Sequence, residues 1–114
     1  DGYSSLQEAI KLEDLVRVTS GAFINRFVAF TGAVVLYQID CFSICTETRY
    51  VFVFDGTDTN SFPIYIAPIL SNNSTSLAVP SPFQHGVTVG LSVFPSTYTE
   101  ETGNFLLVTA TRRG

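Results

Sequence analysis

The sequence predicts an all-β fold, a five-stranded Greek-key barrel of the OB-fold type with a short N-terminal helix. Three features carry that expectation. Five runs of the chain are rich in β-branched and aromatic residues and are bounded by turn-forming residues. The first run is long and broken by Thr31-Gly32, as suits a strand that must bend to pair on both sides of a small barrel. A long polar link, residues 70–84, separates the third run from the fourth. That layout is an OB-fold, whose second and third strands form the ligand face. An immunoglobulin-like sandwich competes, but it wants about seven strands and a distant cysteine pair. Here Cys41 and Cys45 are near neighbours.

In chain order, residues 4–15 carry Leu6, Ile10 (or Ala9) and Leu15 in a rough helical rhythm behind two serines able to cap. They predict a helix within a lead-in of residues 1–24, with the barrel spanning residues 25–114. The first strand is expected from Arg26 to Asp40, bending at Gly32, and the second from Arg49 to Asp55. Phe62 to Ile69 forms the third, where Pro63 and Pro68 demand positions at which a missing donor is tolerated. His85 to Pro95 gives a fourth strand with Val87, Val89, Leu91 and Val93 on one face, and Asn104 to Thr111 a fifth. No repeat or internal boundary interrupts the series.

The 114 residues suffice for one domain with its own core. Hydrophobic residues make up 46% and charged residues 14%, which excludes a disordered chain, and no apolar run reaches the ~20 residues of a membrane-spanning helix. The formal net charge of −4 opposes a nucleic-acid role based on phosphate neutralisation. A binder with this balance would rely on stacking and base-edge hydrogen bonds. Cys41 and Cys45 read as reduced, structural thiols, because His85 is the lone histidine and further metal ligands are missing. Asn72 and Asn73 open two overlapping glycosylation triplets, which in so polar a loop read first as loop composition and secondly as the mark of a secreted β-domain. There is no Gly-rich phosphate loop and no nucleophile elbow. Neither catalysis nor a cofactor is expected.

The stretch Tyr50 to Asn60 carries the candidate site. Tyr50, Phe52 and Phe54 share one face of the second strand, and Val51, Val53 and Asp55 the other. Both faces are apolar, so alternation leaves open which one is core. Three rings in a row on an open sheet would stack unpaired bases at ~1–3 kcal/mol each. Tyr37 and Tyr65 stand on neighbouring strands, and Tyr98 in the loop before the fifth. Arg49, Arg112 and Arg113 are the candidate phosphate or stacking contacts, the last two equally readable as tail charges. Asp55 and Asp58 flank a tight turn, where Asp usually bonds its own backbone.

The run Val51-Phe52-Val53-Phe54-Asp55-Gly56-Thr57-Asp58-Thr59 resembles the second-strand signature of the protection-of-telomeres (telomere end-binding) family, and most closely its second OB-fold. Phe54 stands where relatives carry Trp. Gly32 to Val35 and the VTVGLSVFPS run add weaker support. The resemblance implies sequence-specific binding of single-stranded G-rich telomeric DNA at the 3′ overhang, in the nucleus, by a monomer that also meets other telomere proteins. Phe52 and Phe54 would stack, while Asp55, Thr57 and Thr59 would read base edges. With Tyr37, Arg49, Tyr50, Tyr65, Tyr98 and Arg112 they form the expected DNA-contact set. The alternative is an OB-fold protein-interaction module in a telomere or replication complex, without direct DNA binding.

Overall fold

A computed structural model describes residues 14–77 and 81–114. Nine strands account for the regular structure: β1 (Leu15–Thr19), β2 (Arg26–Thr31), β3 (Val34–Ser43), β4 (Arg49–Asp55), β5 (Phe62–Ile69), β6 (Asn73–Leu77), β7 (Ser81–Phe83), β8 (Gly86–Ser92) and β9 (Leu106–Arg113). They form two open sheets. One runs β1-β9-β3-β6, with β7 also paired to β3; the other runs β2-β8-β4-β5. All pairs are antiparallel.

The pairing is nested. Taken together, β6 and β7 are one interrupted strand, because they pair with successive halves of β3, Ile39–Ser43 and Val34–Leu36. The first strand then pairs with the last, the second with the last but one, the third with the sixth, and the fourth with the fifth. That is one long hairpin rolled into two layers, the strand order of a jelly-roll sandwich.

The expected OB-fold barrel is therefore corrected. Neither sheet closes on itself, and the expected first strand is two strands in different sheets. Gly32, at φ 76°, turns the chain out of β2, and two residues later β3 begins in the opposite layer. A glycine bend serves a coiled barrel strand and a change of sheet equally well, so the sequence signal was real and its geometric meaning differed. The link over residues 70–84 contains β6 and β7. The mostly polar run NSTSL of β6 pairs through its backbone at the margin of the sheet, where only Leu77 packs against the core. Most of the expected helix over residues 4–15 lies outside the described residues. Its last member, Leu15, opens a strand, and there is no helix among the described residues.

The core is the filling between the layers. Leu36, Ile39, Cys41, Leu106, Val108 and Ala110 come from the first sheet, and Val51, Val53, Val87, Val89, Leu91 and Ile69 from the second. Alternate residues along each strand supply it, as period-2 geometry requires. β8 is buried at every position. Its valines and leucine face inward, and its outer face is roofed by the β8–β9 loop, which returns across Ser92 to pair with it at Glu100. Arg49 and Glu101 fasten that loop at 2.6 Å, and Asn25 Nδ2 donates to the Glu101 carbonyl at 2.8 Å.

Candidate ligand groove and the aromatic face

The structure resolves the choice the alternation left open. Val51 and Val53 face the core, and Phe52 and Phe54 stand on the outer face of the second sheet. Even so, the two rings are only 2% and 1% exposed. Tyr98 covers them. Its ring meets Phe52 edge-on at 5.2 Å and Phe54 at 5.1 Å and 90°, while the two phenylalanines stack on each other at 6.0 Å. This triangle is the arrangement that ring quadrupoles favour. It depends on Gly90, which lies between Arg26 and Phe52 in the sheet register: a β-carbon there would collide with the Tyr98 ring. The Tyr98 hydroxyl donates to Glu100 at 3.3 Å, and Glu100 lies 3.6 Å from Arg26. Burial first, then the Glu100 charge, pushes the Tyr98 phenol above its usual range.

The expected stacking platform for bases is thus occupied by the protein's own tyrosine. The rest of the expected DNA-contact set disperses. Arg49 is spent on Glu101, and its hydrogen bond holds the Glu101 carboxyl below the usual carboxylate range. Asp55 accepts from the backbone N–H groups of Gln84 (3.0 Å) and His85 (2.9 Å), so it secures the β7–β8 turn. Asp58 accepts from the Asn60 N–H and the Ser61 hydroxyl, the turn-making role open to Asp. Thr57 is exposed and Thr59 half-buried in that same turn, and Tyr50 is half-buried on the outer face. Tyr65 points the other way and packs against the core. Tyr37 and Arg112 belong to the other sheet. With no OB barrel and no open platform, the readings of a telomeric single-strand binder and of an OB-fold telomere interaction module fall.

Two surfaces were not legible from the expected site. The first is the margin at β5, where Phe62 is 75% and Ile66 48% exposed. The prolines at 63 and 68 fit a ladder only where their nitrogens face away from β4. They remove two donors from the free edge, so β5 is guarded against pairing with another strand.

The second is a groove at the end of the sandwich where β2 turns into β3. Val34, Val35, Pro82, Phe83, Arg112 and Arg113 line a hollow of about 500 Å³, and a neighbouring hollow of about 370 Å³ shares Ala33, Val34 and Arg112 with it. Arg112 reaches this mouth because a bulge between Leu36 and Gln38 shifts the β3–β9 register, pairing Arg112 with inward-facing Leu36. Its guanidinium lies 5.4 Å from the Phe30 ring centroid, and that of Arg113 lies 5.8 Å from Tyr37. Among the described residues, no carboxylate lies within ion-pair distance of either arginine. Of the aromatic and basic candidates singled out in the sequence, the structure brings together here Tyr37, Arg112 and Arg113. Phe83, which walls the groove, carries no local sequence signal.

Cys41 and Cys45 are both free and buried. Burial, then the Asp40 charge, pushes the Cys41 thiol up to about 12, so it stays protonated at neutral pH. Among the described residues, no cluster of three metal-ligating side chains is present, and no helix is long and apolar enough to cross a membrane.

No family model matches this sequence, and no curated protein matches it. Solved structures are similar in shape. One is from work on Bacillus endospore appendages, described as a novel family of disulfide-linked pili; it is 14% identical, with 88% of this chain and 84% of that chain covered and a TM-score of 0.45. The Tobacco streak virus coat protein is 8% identical, with 89% and 86% covered and a TM-score of 0.45. PirA is 9% identical, with 89% and 94% covered and a TM-score of 0.40. At such identities and scores these are likenesses of outline, and no activity is carried over from them.

Proposed function

We propose that this chain is a non-catalytic recognition module that holds an acidic peptide segment in the groove at the β2–β3 end of the sandwich. The observation that carries this reading is that Arg112 and Arg113 both line an apolar hollow, each guanidinium over an aromatic ring and neither in an ion pair with a carboxylate among the described residues. Stacking occupies the face of a guanidinium and leaves its N–H edge for hydrogen bonds; Arg112 Nη1 already donates to the Arg113 carbonyl at 3.0 Å, and its other N–H groups are the ones offered to a carboxylate. Val34, Val35 and Phe83 offer the dry wall for an aliphatic side chain beside the acid, and the volume lies within the ~300–1,000 Å³ range of ligand sites. The absence of a catalytic role is supported by how the other ionisable groups are used: Asp55 secures a turn, and Arg49 and Glu101 hold each other.

The test is a titration of ¹⁵N-labelled protein with the acetylated tetrapeptide Glu-Leu-Asp-Leu, followed by amide shifts. Saturable shifts are expected at Val34, Val35 and Phe83. Arg112→Gln should weaken binding about tenfold or more, since a charge-assisted hydrogen bond contributes ~1.5–3 kcal/mol. Shifts scattered over the surface, or unchanged affinity in the variant, would refute the reading.

A further inference from the structure

We propose that the free edge of β1 is a docking surface of its own, which takes an extended peptide as an added strand with a carboxylate opposite Arg17. None of the β1 residues lines the groove. Each sheet leaves two strands with an unpaired side, β1 and β6–β7 in one and β2 and β5 in the other. The edges other than β1 carry devices against further pairing. β5 holds Pro63 and Pro68, the short interrupted pair β6–β7 holds Pro82, and β2 is broken by a bulge between Val28 and Phe30. β1 has neither proline nor bulge: Leu15 to Thr19 pair with β9 in unbroken register. Its other side meets no strand among the described residues.

The ladder settles which backbone groups face outward. The Gly114 N–H donates to the Asp14 carbonyl at 2.6 Å, and the Ser20 N–H to the Val108 carbonyl at 2.9 Å. In an antiparallel pair every second residue bonds across, so Val16 and Val18 are also engaged with β9. Leu15, Arg17 and Thr19 therefore direct their N–H and C=O groups away from the sheet. Val16 and Val18 pack against the core and carry its apolar margin to this edge. Arg17 is exposed, and the β9 residues on its face of the ladder are Thr109, Thr111 and Arg113, with no carboxylate. Among the described residues Arg17 has no ion-pair partner. A strand laid antiparallel along β1 bonds to Leu15, Arg17 and Thr19, sets aliphatic side chains beside the valines, and gains from an acid opposite the arginine. A second copy is disfavoured, because two β1 edges paired about Arg17 bring like charges directly opposite.

The probe is the acetylated, amidated pentapeptide Thr-Val-Glu-Val-Thr, added to the ¹⁵N-labelled full chain. Hydrogen exchange at the Leu15, Arg17 and Thr19 amides should slow on saturation, while Val16 and Val18, already bonded to β9, should change little. Methylating the nitrogen of the peptide Glu, which faces β1 in this register, should weaken binding about tenfold or more. Methylating that of its first Val, which faces away, should change affinity by less than about twofold. Replacing the Glu by Lys should weaken binding about threefold or more at low salt. Equal binding of the two methylated peptides, or no binding at millimolar peptide, would overturn the proposal. Slow exchange of the Leu15, Arg17 and Thr19 amides in the free protein would show the edge already covered and would also overturn it; if that protection grew with protein concentration, the cover would be a second copy. Shifts confined to Val34, Val35 and Phe83, and lost in Arg112→Gln, would overturn the edge site and leave the groove reading standing. Slowed exchange along β1, with no groove shifts from Glu-Leu-Asp-Leu, would support the edge and sink the groove alone.

Discussion

Removing the Tyr98 ring tests most directly why the outer aromatic face is closed. The residue is half-buried, and a buried aromatic hides ~150–250 Å². Tyr98→Ala therefore returns on the order of 80–100 Å² of apolar surface to water, about 2–2.5 kcal/mol at ~25 cal/mol per Å². The two edge-on contacts with Phe52 and Phe54 overlap with that burial and add about 1 kcal/mol. The expected loss is about 3 kcal/mol, a large share of the stability of a domain this size. Tyr98→Phe keeps the ring and gives up only the Glu100 hydrogen bond at 3.3 Å, so it should lie within about 0.5 kcal/mol of the parent. Urea unfolding followed by far-ultraviolet circular dichroism measures both. The alanine variant should also bind anilinonaphthalene sulfonate in its native state, because Phe52 and Phe54 become open. A loss below about 1 kcal/mol without dye binding would show that other groups, and not this tyrosine, seal the face.

Three further outcomes follow from the ion pair and the turn. Glu101→Gln leaves Arg49 largely enclosed without its main partner, with Glu47 at 3.4 Å and water as partial substitutes; the expected cost is about 2–3 kcal/mol, below the ~3–5 of a fully buried pair. The Glu101 carboxyl titrates below its usual value near 4.5 in the folded chain, so its stabilisation is complete above that value and is lost as pH falls through the depressed one. Urea midpoints of the parent should therefore drop more steeply below about pH 4.5 than those of Glu101→Gln, and parallel curves would contradict this. Asp55→Ala removes the acceptor for the Gln84 and His85 N–H groups; in so exposed a turn it should cost about 1–2 kcal/mol, with a neutral result in the same urea assay counting against the assigned role.

Much of the local structure can be read along the chain. The strand Arg49–Asp55 and the strand Phe62–Ile69 have the boundaries their composition predicts, and the valines and phenylalanines of β4 do occupy opposite faces. Period-2 alternation, turn residues and proline positions are properties of a few neighbouring residues, so one sequence suffices to show them. β1 carries the alternation Val16-Arg17-Val18-Thr19, which the reading of the sequence left inside the lead-in; of its residues only Leu15 falls in the run read as helical.

What the sequence by itself determined, then, is an all-β chain, where most of its strands lie, and a period-2 split that sorts residues between two faces. What only the tertiary structure decided is which strands pair, and hence what each face meets. At Gly32 the chain leaves one sheet for the other, and nothing in Thr31-Gly32-Ala33 distinguishes that from a bend within a single strand, because backbone freedom carries no information about distant partners. Tyr98 reaches Phe52 and Phe54 from more than forty residues away, through a loop held by Arg49 and Glu101. The same rings that alternation places on a surface are removed from solvent by that one long-range contact, and Arg112 is delivered to the groove by a one-residue slip in the β3–β9 register. Contacts between segments so far apart follow from closing the whole nested hairpin, which no local pattern encodes.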